Sequence, residues 1–158
     1  EQYRPFVDRL AEDSAVAFLR HTELPEGAGA AAIEEFDRLC ETAPARLLLH
    51  GDLNPSNVLL HGATWRIIDP KPAVGDPAFD TFSLVRDLLL DTGSREQLAE
   101  LMDVAAGVAV IDPDRALRWI VMRGTLSAFW NLEDGLADAG RRDADLVLSA
   151  ADLLGRSA

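Results

Sequence analysis

Apolar residues recur every three or four positions through most of this chain, and the rhythm fails in one central stretch. Residues 4 to 20 place Phe6, Val7, Leu10, Ala11, Ser14 and Phe18 on one helical face, with Pro5 in the first turn. The segment from Glu23 to Gly29, with its proline and two glycines, breaks that pattern. A second helix is expected from Ala30 to Glu41, with Ile33, Phe36, Leu39 and Cys40 inward, and Ala43-Pro44 ends it. Then the helical period disappears. Arg46 to Leu49 reads as a brief buried strand and His50 to Ser56 as a polar loop. Asn57 to Leu60 and Trp65 to Ile68 read as two strands of a hairpin turning at His61-Gly62-Ala63-Thr64. The hairpin carries Asn57 at its entry and Asp69 at its exit, so two oxygen-bearing side chains 12 residues apart should lie together.

Helical periodicity returns at Gly75-Asp76-Pro77, where Asp76 can cap and Pro77 can take the first helical position. That helix should run to about Asp91, burying Phe79, Phe82, Val85 and Leu88. Ser94-Arg95-Glu96-Gln97 has the form of a capping box, opening a helix to about Ala106 with Leu98, Leu101, Met102 and Ala105 inward. Asp112-Pro113 opens another, reaching about Asn131, with Leu117, Ile120, Val121, Gly124 and Ala128 on its apolar side. The last helix is expected from Asp143 to Leu154, with Gly155 as its C-cap. The expected class is α+β, mostly helical with one small hairpin, over residues 1–158 as a single domain.

Charge narrows the partners. The net charge of −12 disfavours nucleic acid and anionic membrane and favours a cationic ligand or metal ions near carboxylates, although solubility alone would also account for it. No apolar run approaches the roughly 20 residues of a membrane span. The opening residues lack the pattern of a signal peptide, so a cytoplasmic setting is expected. They also lack a starting Met, and the natural N-terminus is expected upstream. The single cysteine, Cys40, excludes an internal disulfide and a cysteine-built zinc site, and its helical phase with Phe36 marks it as a structural thiol.

The aperiodic stretch holds the chemistry. Phosphoryl transfer needs a group to orient or accept the proton of an attacking hydroxyl, and hard oxygen ligands for Mg²⁺ on the nucleotide phosphates. Asp52 can serve the first need, Asn57 and Asp69 the second. His50-Gly51-Asp52-Leu53-Asn54-Pro55-Ser56-Asn57, followed by Ile68-Asp69, resembles the catalytic and metal loops of the aminoglycoside phosphotransferase superfamily. Asp69-Pro70-Lys71 with Gly75-Asp76-Pro77-Ala78-Phe79-Asp80 is similar to its aminoglycoside/hydroxyurea antibiotic-resistance kinase branch, to which streptomycin 6-phosphotransferases belong. The likeness is dense over residues 46 to 85 and weak elsewhere.

The resemblance implies a protein-kinase-like C-terminal lobe, with Asp52 as catalytic base and Asn57 and Asp69 as Mg²⁺ ligands. His50 would support the loop, Asp76 would cap or anchor, and Asp80 would be a structural carboxylate near the loop. Lys71 would contact an ATP phosphate or stand as a solvated loop lysine. Trp130, Glu133 and Asp134 are candidates to meet a cationic substrate beside Asp52, against the plainer reading of core tryptophan and solvated acidic turn. Relatives often have His where this chain has Asn54, a departure that touches loop hydrogen bonding and spares Asp52 and Asn57.

Such a kinase also needs an N-terminal nucleotide lobe with a phosphate-pairing lysine. The chain's one lysine follows the metal aspartate, and residues 1 to 45 read as helices. The chain is therefore expected to be the C-terminal lobe alone, the N-terminal lobe of the same enzyme being its missing partner, with negligible activity by itself. The leading reading is the catalytic lobe of an ATP-dependent kinase of a hydroxylated small molecule, an aminoglycoside such as streptomycin by preference, conferring resistance. Hydroxyurea or another hydroxylated metabolite is the alternative substrate. A non-catalytic binding fragment, or a helical interaction module with a relic loop, are the other classes.

Overall fold

The computed structural model describes residues 27–89, 94–109 and 111–157. The helix expected over residues 4 to 20 and the expected helix end at Asp91 lie outside the described residues. Helix α1, Ala28–Glu41, buries Gly29, Ala32, Phe36 and Leu39, a three-to-four spacing that makes one apolar stripe. Cys40 is half-buried against the same core, and burial pushes its thiol up from the ordinary value.

Strand β1, Leu47–Leu49, pairs antiparallel with β4, Ala73–Gly75, and between them β2, Val58–His61, forms a hairpin with β3, Thr64–Ile67. The hairpin differs from expectation by one residue. His61 pairs with Thr64, so the turn is only Gly62-Ala63, and His61 is an exposed strand end. Asn57 closes a 3₁₀ turn, Pro55–Asn57, before the strand begins, because the Asn54 side chain accepts from the Asn57 N–H and Pro55 presets the turn. Strand β4 was not expected. It is three residues between two prolines, and its partner lies more than 20 residues away, so no local pattern announces it. Nor is β1 buried throughout: Leu49 is, while Leu48 is 77% exposed.

Asp76 accepts from the Ala78 N–H and starts a 3₁₀ turn, Pro77–Asp80, that leads into helix α2, Thr81–Leu88. Phe79, Phe82 and Val85 are buried as expected, but Leu88 is exposed and Leu89 is buried in its place. The 3₁₀ entry rotates the face relative to a continuous α-helix. In α3, Arg95–Ala109, Ser94 Oγ accepts from the Gln97 N–H, whereas Gln97 Oε1 is buried without a partner among the described residues, so half of the expected capping box is made.

Helix α4, Pro113–Glu133, is capped by Asp112 and buried on most sides. It packs along α5, Ala137–Ser157. At Gly124 the two helices approach so closely that a Cβ would lie 2.6 Å from Val147. Helix α5 starts six residues before the expected Asp143 and continues through Gly155. Asp143 is not a cap but a mid-helix carboxylate, 1% exposed, bound by Arg86, Ser127 and Asn131. Two hydrophobic clusters share α4 and α5: one gathers α1 and Phe79, the other α2 and α3. No described helix is long and apolar enough to cross a membrane.

Candidate functional site

The loop His50-Gly51-Asp52 follows β1 and is gripped from three directions. The Asp80 carboxylate accepts the His50 and Gly51 N–H groups, each at 2.9 Å. The Lys71 N–H donates to the His50 carbonyl at 2.8 Å, drawing the Asp69-Pro70-Lys71 segment across the loop. His50 Nε2 donates to the Ile68 carbonyl at 2.9 Å, which fixes the tautomer and leaves buried Nδ1 without a partner among the described residues. Gly51 has φ 81°, and a Cβ there would lie 1.9 Å from the Lys71 carbonyl oxygen. Only glycine fits both the left-handed backbone and the crossing.

Asp52 emerges from this grip with a half-buried side chain. Its Oδ2 accepts from Lys71 Nζ at 2.7 Å and its Oδ1 from Asn54 Nδ2 at 3.3 Å. The Lys71 hydrogen bond holds its carboxyl below the usual carboxylate range, outweighing the opposing effect of burial, so Asp52 is an anion at neutral pH. Its carbonyl accepts from Asn57 Nδ2 at 2.9 Å.

That bond commits the Asn57 amide nitrogen, and its Oδ1 receives no hydrogen bond among the described residues. The Ile68 N–H donates to the Asn57 carbonyl at 2.9 Å, closing the open end of the β2–β3 hairpin. Asn57 and Asp69 therefore flank one end of the ladder, as expected. Asp69 is exposed and takes a left-handed backbone, φ 55°, which no other non-glycine residue does among those described. A carboxamide oxygen and a carboxylate suit Mg²⁺, which keeps waters and takes one or two protein oxygens plus phosphates. No group of three or more His, Cys, Asp or Glu stands together among the described residues. The pair thus fits an ion that completes its shell from a ligand.

Beside Asp52 opens a cavity of about 180 Å³, walled by the 3₁₀ turn, α2 and α4. Asp52 and Trp130 line it. Glu133 and Asp134 are exposed at the end of α4 and do not, and neither do Asn57, Asp69 or Lys71. The wall also holds charged residues that the sequence reading did not single out: Arg86, Asp87 and Arg123. Arg86 donates through Nε to Asp143 at 2.6 Å. Arg123 donates to the Phe79 carbonyl and Ser83 Oγ and stacks over the Phe79 ring, 4.1 Å from its centroid. Asn54, in sequence a departure from the His of many relatives, has a second role. In the structure it braces Asp52 and ends the loop, which the Asn-Pro pair signals in sequence.

Three comparisons bear on this site. The sequence profile of the aminoglycoside/hydroxyurea antibiotic resistance kinase family matches residues 5–135. The chain is 32% identical over 145 residues to a hydroxyurea phosphotransferase of Kitasatospora aureofaciens, covering 85% of this chain and 41% of that protein. It is 34% identical over 103 residues to a streptomycin 6-kinase of Streptomyces griseus, covering 59% and 32%. The chain thus spans well under half the length of these curated relatives. A crystal structure of a thermostable mutant of the aminoglycoside phosphotransferase APH(4)-Ia, apo form, superposes with a TM-score of 0.60 at 19% identity, over 97% of this chain and 53% of that one, a likeness of fold.

Proposed function

The chain belongs to the aminoglycoside/hydroxyurea antibiotic resistance kinase family, and from that premise we propose that it is the catalytic, substrate-binding lobe of an ATP-dependent phosphotransferase. The acceptor is a hydroxyl of a small, cationic molecule, an aminoglycoside of the streptomycin kind, and the outcome is antibiotic resistance. The observation that carries the reading is Asp52: an anionic carboxylate held at the mouth of a cavity by a loop that Asp80 and the Lys71 backbone lock in place.

In this reading Asp52 accepts the hydrogen bond of the acceptor hydroxyl and orients its oxygen. As that oxygen bonds to the γ-phosphorus, the bond from phosphorus to the β,γ-bridging oxygen breaks, ADP leaves, and the hydroxyl proton passes to Asp52. Asn57 Oδ1 and Asp69 would hold Mg²⁺, which would neutralise phosphate charge. Lys71, whose ammonium already sits 2.7 Å from Asp52, faces the transferred phosphoryl and shares ATP binding with Asn57. Trp130 forms a wall for the acceptor. Glu133 and Asp134, outside the cavity, meet only an acceptor large enough to extend past it.

A nucleotide-binding lobe of the same enzyme completes the site. The apolar side of the β2–β3 hairpin supports this: Leu60 and Trp65 are paired across the strands beside Ile67, and all three are exposed, Trp65 by 67%. Leu48 and Val74 make a second exposed cross-strand pair on β1–β4. Patches of this kind mark an interface. A cytoplasmic setting, where ATP is available, accords with the proposal, and neither nucleic acid nor membrane is invoked.

Hydroxyurea is a second acceptor reading, favoured by the cavity's volume of about 180 Å³, the space of roughly six waters. The test is a panel of streptomycin, other aminoglycosides and hydroxyurea with ATP and Mg²⁺ on the full-length enzyme. Turnover is expected with at least one acceptor and should fall ~10²- to 10⁴-fold in Asp52→Asn. Turnover that survives Asp52→Asn removes the base. The 158-residue chain alone should turn over negligibly.

A further inference from the structure

We propose that Asp87 is the specificity-determining residue of the acceptor cavity, where it receives a guanidinium or ammonium group of the acceptor while Asp52 addresses the hydroxyl. The inference rests on the phosphotransferase reading above and names the half of the substrate that the reacting atoms do not define.

Among the described residues two carboxylates line the cavity, Asp52 and Asp87. Their surroundings differ. Asp52 has a lysine ammonium at 2.7 Å and an asparagine amide at 3.3 Å. Among the described residues Asp87, on α2, receives no hydrogen bond, and its one recorded ion pair is with Arg86 Nη1 at 3.8 Å. That distance is too long for a hydrogen bond.

The two arginines of the wall among the described residues make their hydrogen bonds elsewhere, and Arg86 reaches Asp87 only in the long ion pair at 3.8 Å. Arg86 is aimed by its 2.6 Å bond at Asp143, which Ser127 and Asn131 also hold, so swinging toward Asp87 would take from a buried carboxylate the cation bonded to it. Arg123 is spent on the Phe79 carbonyl, Ser83 and the Phe79 and Phe82 rings. The groups that face Asp87 are therefore Arg86, Asp52 and Asp143. Burial pushes its carboxyl above the usual carboxylate range; Arg86 offsets this in part, and the Asp52 and Asp143 charges add to it. A half-buried anion that the protein leaves incompletely paired, in a cavity, is a site for a cation from outside. Trp130 adds an aromatic face to the same wall.

The geometry divides the labour along the substrate. An acceptor with a cationic nitrogen and a hydroxyl can satisfy both carboxylates at once, and one without the cation leaves Asp87 as it stands. The cavity therefore selects hydroxylated bases over neutral polyols of the same size.

Steady-state kinetics on the full-length enzyme test this, with ATP, Mg²⁺ and either streptomycin, which carries guanidinium groups, or neutral hydroxyurea. Asp87→Asn should raise KM for streptomycin ~10- to 100-fold while kcat stays within a few-fold, as expected for one lost charge-assisted hydrogen bond. Asp87→Glu, which keeps the charge, should recover most of the affinity and shows that the site tolerates replacement. An unchanged KM in Asp87→Asn overturns the assignment, as does a wild-type enzyme that phosphorylates hydroxyurea but not streptomycin, although the phosphotransferase reading then stands. Turnover of neither acceptor, nor of any other aminoglycoside, removes that reading and the anchor with it.

Discussion

Gly51 and Lys71 meet backbone to backbone: a single carbon added at Gly51 would lie 1.9 Å from the Lys71 carbonyl oxygen. Lys71 also donates its N–H to His50 and its ammonium to Asp52. One crossing therefore sets the height of the Asp52 loop above the segment that carries Asp69. Gly51→Ala should lower kcat by at least ~10²-fold, since displacing a reacting group by about 1 Å costs that much. Thermal unfolding should also fall by several degrees. A variant with wild-type kcat would show that the crossing can yield.

Asp80 holds the same loop from below through two backbone N–H groups. Asp80→Asn keeps the shape but turns one acceptor into a donor, leaving an N–H facing an NH₂. The expected loss is ~1–3 kcal/mol of stability, read by urea unfolding, with kcat reduced more than KM for ATP. Equal stability and kcat would mean that the two N–H groups find water instead.

Asp143 gathers Arg86, Ser127 and Asn131 from α2 and α4 onto α5 at 1% exposure. Asp143→Ala removes the acceptor that Arg86, Ser127 and Asn131 share and should cost ~1–3 kcal/mol. Its effect on the cavity should show as a raised acceptor KM, because Arg86 is then free to pair with Asp87. Replacing Arg86 and Asp143 together should cost less than the sum of the two single changes.

Asp87 links stability to pH. Its carboxyl is raised above the ordinary value of 3.8, chiefly by burial. A raised folded-state pKa means that folding binds a proton at Asp87, so its ionised form is a liability at neutral pH. That liability disappears as pH falls through the folded value toward 3.8. Asp87→Asn should therefore unfold at a higher temperature than wild type at pH 7, with the gap closing in acid. A gap independent of pH would argue that the substitution acts through packing.

The sequence exposes much of this site because its parts are close along the chain. Asp52, Asn57, Asp69 and Asp80 fall within 29 residues, and a turn, a hairpin and an Asp-Pro start are all local signals. What escaped depends on distant contacts. Strand β4 exists through its pairing with Leu47–Leu49. Asp143 resembled a helix start because capping and buried acidic residues share a side chain, and only the approach of α2 and α4 tells them apart. Asp87 stands next to Arg86 on an amphipathic helix, where an acid–base neighbour pair looks like a solvated face. The register error at Leu88 and Leu89 came from one 3₁₀ turn, which shifts the phase of everything after it.

The exposed side of the β2–β3 hairpin has a consequence for the two side chains at its open end. Two four-residue strands joined by a two-residue turn hold their shape weakly without a covering surface. Asn57 and Asp69 hang from the open end of that hairpin. Whatever seals Leu60, Trp65 and Ile67 from water also steadies the distance between the two oxygens that would hold the metal. A surface laid over these three side chains and an ion held by the two oxygens would therefore reinforce each other, although they lie on different parts of the hairpin.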